Sequence, residues 1–319
     1  MKRTLILVLG LLLPYPSAAL AGAPKCFGRS ATIVGTSGAD RILGTEGRDV
    51  IVGLGGIDRI EGMGGADLIC SGRGGNAGFF ERVLGGPGDD SIKDTQGAAR
   101  MGGGPGRDLM IGSGGADGMN GGSGSDRMFG RRGGDVIYGG SGRDVIRGGP
   151  GREDWLIGGG GADEVFGGRG TDDVFDGRGN DIISGGADRD SLEFRGPGGV
   201  VVDLEEGFAD GRGDNSVFGI EVVFGTRVAD VIYGDDEDNL LWGWAGKDDI
   251  RGRGGSDLLQ GDDGSDSLRG GLGDDRLRGG SGDDSLDGGV GKNTNLGGPG
   301  MDSCSNPAPG SMGAFSCEA

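Results

Sequence analysis

The 319-residue chain has no histidine, only 5% aromatic residues and only 34% hydrophobic residues, while 82 positions are glycine. Each shortage excludes something. Without imidazole there is no Ser-His-Asp triad, no Cys-His pair and no histidine-bearing zinc site. So little apolar material is too little for an ordinary globular core of this length, which argues against a conventional enzyme domain. Basic residues are also scarce, 31 against 50 acidic, for a net charge of -19. Nucleic acid, whose phosphates need a basic partner, is therefore not an expected ligand. What remains is disorder, a fibrous repeat, or a chain that needs counter-cations.

Long hydrophobic runs are missing as well. Lys2 and Arg3 precede the one apolar stretch, Leu5 to Leu13, which stops at Pro14. A membrane span needs about 20 such residues. With Ala19-Leu20-Ala21 following, the pattern is that of a signal peptide over 1–21, cleaved after Ala21. No lipid-attachment motif precedes Cys26. The mature chain would have a charge of -21, no membrane span and a secreted, extracellular location. Four cysteines, Cys26, Cys70, Cys304 and Cys317, suit an oxidising compartment, and their even number allows three complete pairings. Their positions favour Cys26 with Cys70 and Cys304 with Cys317, two clamps at the ends.

What the chain has instead is a repeat of nine. Gly35, Gly44, Gly53 and Gly62 open four units, with Asp40, Asp49, Asp58 and Asp67 at the sixth position and Ile42, Ile51, Ile60 and Ile69 at the eighth. After an irregular stretch at 71–84 the register runs through 85–193, with one inserted residue near Glu153. It breaks over 194–224 and resumes over 225–305. Of 25 units, 22 have glycine fourth, 22 have aspartate sixth and 24 have an apolar residue eighth. That phase-locking excludes a disordered Gly/Asp-rich chain and collagen, which needs glycine at every third residue. Chance GxGxxG matches recur throughout and mark no nucleotide site.

Each position has a physical role. Glycines first, second and fourth permit a tight turn with positive φ, and the three residues after the aspartate suffice for a short strand with one side chain inward. Met101, Met110, Met119 and Met128 supply four consecutive inward side chains, better read as adaptable core than as sulfur ligands. Two units close a coil of 18 residues, and stacked coils make parallel sheets on two faces. The expected fold is thus all-β, a parallel β-roll with little or no helix after the signal peptide. Asp40 then lies above Asp58, and Asp49 above Asp67, about 4.8 Å apart. Carboxylates at that spacing repel by roughly 3 kcal/mol per pair at an effective dielectric near 20. Hard oxygen donors without histidine or clustered thiols select calcium.

The unit Gly279-Gly280-Ser281-Gly282-Asp283-Asp284-Ser285-Leu286-Asp287 spells GGxGxDxUx, and Asp266 to Asp284 reads DSLRGGLGDDRLRGGSGDD. Here the chain resembles the RTX, or hemolysin-type, calcium-binding repeat proteins. The resemblance implies several calcium ions held between successive turns, each shared by aspartates 18 apart and completed by turn carbonyls. The implied metal residues are Asp40, Asp49, Asp58, Asp67, Asp90, Asp108, Asp117, Asp126, Asp135, Asp144, Asp154, Asp163, Asp172, Asp181, Asp248, Asp257, Asp266, Asp275, Asp284 and Asp302. Ala99, Asn239 and Asn293 break the pattern, so their sites are expected weak or empty. Asp188, Val228 and Glu237 replace the fourth glycine, leaving Asp190 and Asp230 less secure.

The expected organisation is a signal peptide at 1–21, an N-terminal cap at 22–34, repeat blocks at 35–70, 85–193 and 225–305, an irregular insertion at 71–84, a β-rich interruption at 194–224, and a disulfide tail at 306–319. The separate catalytic modules of some family members are not visible, so the chain is read as no enzyme but an exported calcium-binding protein. Two other classes stay open: a calcium-dependent adhesin binding cell-surface or extracellular glycan, and a polysaccharide-cleaving site built on Asp203 and Glu205. The tripeptide Arg212-Gly213-Asp214 is better explained by composition than as an integrin-type motif.

Overall fold

The computed structural model describes residues 22–73, 80–305 and 314–316. The expected signal peptide therefore lies outside the described residues. Among the described residues the regular elements are all β-strands, and no helix is long and apolar enough to cross a membrane. The chain divides into two compact units, residues 1–169 and 170–319.

In the first unit, strands 18 residues apart pair in parallel along two sheets. Met101 is in register with Met119 and Met119 with Ile137 on one sheet; Met110 pairs with Met128 and Met128 with Ile146 on the other. The residue inserted near Glu153 is absorbed in a turn, so Ile137 pairs with Leu156, 19 positions on. Every eighth-position side chain from Ile42 to Val165 is buried. Each such burial contributes about 1.5–3 kcal/mol, and adjacent coils share it, since one coil covers the next. This is the β-roll that the spacing predicts.

The irregular stretch returns to the roll in the strand Glu81–Leu84. Cys70 pairs with Lys93 and Ile60 with Val83, 23 residues apart instead of 18, so five extra residues are accommodated without loss of register on either sheet. At the N-terminal end, the antiparallel pair Lys25–Cys26 and Arg29–Ser30 lies against Val50, Val52 and Leu68, and Cys26 is disulfide-bonded to Cys70. Cys304 is also disulfide-bonded; its expected partner Cys317 lies outside the described residues.

The second unit repeats the architecture and absorbs the interruption differently. One sheet runs regularly through Ser191–Glu193, Val222–Phe224 and Leu240–Trp242. On the other, one coil strand is replaced by three: Val201–Asp203, Phe208–Asp210 and Asp214–Phe218 form an antiparallel meander. Its outer strands pair in parallel with Ile182–Ala187 and Val231–Tyr233. The insertion is therefore stitched into the sheet on both sides. Arg253 locks it to the following coil, holding Asp203 with two hydrogen bonds of 2.7 Å and reaching Glu205 at 3.0 Å.

Candidate metal centre

Within each unit the sixth-position residues stand in two columns, and all of the column aspartates but Asp302 are buried. A recurring hydrogen bond builds each column. The backbone N–H of one sixth residue donates to Oδ1 of the aspartate one coil on: Asp40 to Asp58 at 2.9 Å, Asp90 to Asp108 at 2.8 Å, Asp108 to Asp126 at 2.8 Å, Asp248 to Asp266 at 2.9 Å. Asp154 and Asp163 accept in the same way from Asp135 and Asp144. Oδ1 is thus spent on the scaffold, and any ligand role falls to Oδ2.

The fate of Oδ2 divides the turns into two classes, and the backbone at the second position decides it. Where the second residue is Thr36, Thr45, Ser113 or Thr226, its N–H donates to Oδ2 of Asp40, Asp49, Asp117 or Asp230, at 2.6, 2.7, 2.9 and 2.6 Å. At Asp235 the same bond runs to Asn239 Oδ1, 2.9 Å. These turns close on themselves. Where the second residue has positive φ, as at Gly86, Gly104, Gly122 and Gly140, or at Leu54, Met63, Arg131, Trp244, Arg253 and Asp262, no N–H turns inward. Oδ2 is then buried without a hydrogen-bond partner at Asp58, Asp67, Asp90, Asp108, Asp126, Asp135, Asp144, Asp190, Asp248, Asp257, Asp266, Asp275, Asp284 and Asp302. Such an oxygen is costly unless something cationic meets it.

The space beside it explains the first-position glycine. A Cβ on Gly103 would lie 2.1 Å from Asp108 Oδ2 and 2.7 Å from the carbonyl oxygen of Gly121, one coil on. At Gly270 the corresponding distances to Asp275 Oδ2 and the Gly288 carbonyl are 2.3 and 2.6 Å. Only glycine leaves room where a carboxylate oxygen and a carbonyl oxygen converge. Among the described residues no three acidic or thiol side chains form a ready cage, so the donors are one carboxylate oxygen per turn plus carbonyls.

Electrostatics follows from burial. Desolvation raises Asp90, Asp108, Asp135, Asp248 and Asp257 to about 7 and Asp58, Asp144 and Asp284 to about 6; the backbone N–H donor partly offsets this, and neighbouring aspartates add to it. The first five therefore keep a substantial share of protons near neutrality unless a cation replaces them. Asp203 differs: despite its own desolvation, the hydrogen bonds and charge of Arg253 hold it below the usual carboxylate range. An ion-paired Asp203 is not a general acid.

The RTX calcium-binding nonapeptide repeat model matches residues 28–58, 43–76, 84–119, 100–128, 120–152, 153–174, 166–194, 224–259 and 260–294, well over half of the chain. The chain belongs to the RTX calcium-binding repeat family. Comparison with curated proteins finds no match. Calcium fits the RTX turns present here, because it accepts about six to eight hard oxygen ligands of mixed carboxylate and carbonyl type. When bound, it would supply positive charge to Oδ2 at the open turns.

Three members of the columns escape the nonapeptide register. Glu81 pairs with Ala99 one coil on and so stands at a sixth position, fully buried. In the interruption, Asn215 Oδ1 accepts from Asp181 N–H at 2.9 Å, and a Glu221 carboxylate oxygen accepts from Asp190 N–H at 2.9 Å. The signal that finds them is local: each lies two residues before a buried valine, Val83, Val217 or Val223, as every repeat aspartate lies two before its inward residue. Asn293 also keeps the column bond, accepting from Asp275 N–H at 2.8 Å. The Arg212-Gly213-Asp214 tripeptide packs on the preceding coil, Gly179 N–H donating to the Arg212 carbonyl at 3.2 Å.

Proposed function

We propose that this chain is an exported, non-catalytic protein whose folded state is completed by calcium at its open turns. The observation that carries this reading is the row of buried, unpartnered Oδ2 atoms, each facing a spot that glycine keeps open. On this reading Asp58, Asp67, Asp90, Asp108, Asp126, Asp135, Asp144, Asp248, Asp257, Asp266, Asp275, Asp284 and Asp302 are ligands, joined by Asp190. Asp154, Asp163, Asp172 and Asp181 stand in the same columns and remain ligand candidates. Asp40, Asp49 and Asp117, also expected as ligands from the repeat, have their Oδ2 engaged by a turn N–H and on this reading are the weaker ligand candidates. Calcium titration by native mass spectrometry, with circular dichroism in calcium and in EDTA, tests this. A fully folded EDTA form that takes up no calcium would overturn it.

Export is supported by the basic, apolar and small-residue order of the first 21 positions and by the Cys26–Cys70 disulfide. The polysaccharide-cleaving alternative loses Asp203 as its general acid, because Arg253 holds that carboxylate ionised. Glycan or cell-surface binding would draw on exposed rings such as Tyr138, Trp155 and Trp244. Rings meet from one coil to the next at Phe224 and Trp242, 4.9 Å apart, but the unpartnered Oδ2 atoms recur along the columns, so calcium binding is the better supported activity; pull-down on polysaccharide tests the alternative.

A further inference from the structure

The coil with 23-residue spacing brings together two buried acids that the nonapeptide pattern does not contain. Glu81, 0% exposed, has no hydrogen bond of normal geometry on either carboxylate oxygen; the Ser71 hydroxyl lies close enough to act on it but donates its one hydrogen to Asp94. Asp94, 1% exposed, occupies the first position of the next unit, where almost every other unit has glycine. Its Oδ1 accepts from the Ser71 hydroxyl at 2.6 Å, and its Oδ2 has no partner.

The position of Asp94 is informative. In regular turns a first-position Cβ would run into the sixth-position Oδ2, 2.1 Å away at Gly103 and 2.5 Å at Gly112. The first-position side chain thus points into the space where the cation-seeking oxygen lies. In this unit the sixth residue is Ala99, which leaves that space open, and the carboxylate enters from the other end of the turn. Ser71, at the corresponding first position one coil earlier, ties the two coils by its hydroxyl. Thr95 Oγ1 adds a second tie, donating to the Gly72 carbonyl.

No counter-charge is at hand. Among the described residues neither acid forms an ion pair. The charges that act on Glu81 are those of Asp94, Asp58 and Asp117, all acidic. In sequence, positions 74–79 are Gly-Gly-Asn-Ala-Gly-Phe and include no cationic residue. Two carboxylates with three unpartnered oxygens in a desolvated site need either a divalent cation or a shared proton.

The geometry points to a divalent-cation site of its own at this splice, with Glu81 and Asp94 as ligands and calcium as the occupant. It rests on the reading that the roll binds calcium, but not on the repeat motif. Its role is to pin the five-residue enlargement to the coil that restarts the register, where neither acid belongs to a GGxGxD turn.

The test is native mass spectrometry of the calcium-loaded full chain carrying Glu81→Gln, Asp94→Asn, the double substitution, or Asp275→Asn as a repeat control. Each single variant and the double lose the same one ion, because both side chains serve one site; adding Asp275→Asn to the double costs a further ion. Thermal midpoints give a second readout: the calcium-induced rise is smaller in E81Q and D94N, while their EDTA midpoints are equal to or above that of the unsubstituted chain. Full calcium occupancy in the double variant, as a pair that only shares a proton would give, overturns the site and leaves repeat binding intact. Loss of two ions in the double also overturns a shared site. No calcium uptake by the unsubstituted chain overturns both readings.

Discussion

Asp108→Asn is expected to change stability in opposite directions with and without calcium. Asn retains an oxygen at Oδ1, so the 2.8 Å bond from Asp90 N–H survives, just as Asn293 retains the bond from Asp275. What changes is Oδ2, which has no partner within the protein. In the metal-free chain, desolvation raises Asp108 from 3.8 to about 7. Ionising it at pH 8 then costs the folded state up to ~4 kcal/mol relative to an unfolded carboxylate, and the amide removes that cost. With calcium, an ion held at a hundredfold excess over its Kd contributes about 2.7 kcal/mol, and the variant loses it. D108N should therefore unfold later than the parent in EDTA and earlier in calcium. Asp49→Asn is the contrast: Asp49 Oδ2 accepts from Thr45 N–H and Oγ1 at 2.7 and 2.9 Å, so the loss is about 1–2 kcal/mol in both media. Urea or thermal midpoints by circular dichroism at pH 8 suffice, because a repeat array need not unfold in two states. If D108N destabilises equally in EDTA and calcium, Oδ2 has a structural partner and the division into open and closed turns fails.

The pH dependence has a definite sign. Asp90, Asp108, Asp135, Asp248 and Asp257 have folded values near 7, above their unfolded 3.8, so the stability that they contribute is present below 3.8 and is lost as pH rises towards 7. EDTA-treated protein should have a higher urea midpoint at pH 5 than at pH 8; with calcium the order reverses, since the ion displaces the proton, and identical trends in the two media would refute the linkage. Ile137→Ala, at a fully buried site between Met119 and Leu156, should cost about 2–5 kcal/mol in both media by equilibrium unfolding. A calcium-dependent cost there would mean that core and metal sites are not separable.

The roll was legible because its two constraints fall on different residue types. Glycine marks where the backbone must turn and one apolar residue marks what points inward, so coil length and sheet count follow from Gly103, Asp108 and Met110 and their repeats. The columns were legible as aspartates but not as two classes. Class depends on φ at the second position, where Leu54, Met63, Arg131 and Trp244 adopt positive values that side chains disfavour. The three threonines at closed turns are β-branched and resist those values most. Glu81 and Glu221 escaped because the glycine register fails around them, although the spacing of acid to inward valine persists. The disulfide at Cys70 followed from position alone. The relocation of a carboxylate from position six to position one at Asp94 was not readable, because it depends on where a first-position Cβ points across the turn.

The closed turns are not scattered evenly. Asp40 and Asp49 open the first block, beside the Cys26–Cys70 bond, and Asp230 and Asn239 open the third. These coils close their carboxylates with their own backbone, so their order does not wait for an ion. Turns such as those of Asp275 and Asp284 bury an oxygen that has no partner within the protein. Opening free energy should therefore vary along each unit when calcium is withdrawn, following local satisfaction of polar groups. Hydrogen exchange in EDTA should leave Arg41–Leu43 and Val50–Val52 more protected than Leu109–Ile111 in the first unit. In the second, Val231–Tyr233 and Leu240–Trp242 should outlast Arg276–Ser281 and Ser285–Val290. Calcium should slow exchange most in the second member of each comparison and largely remove the contrast. Uniform protection in EDTA would mean that the closed turns contribute nothing special. A contrast that persists at saturating calcium would assign it to the disulfide and the inserted meander instead of the metal, because neither depends on the ion.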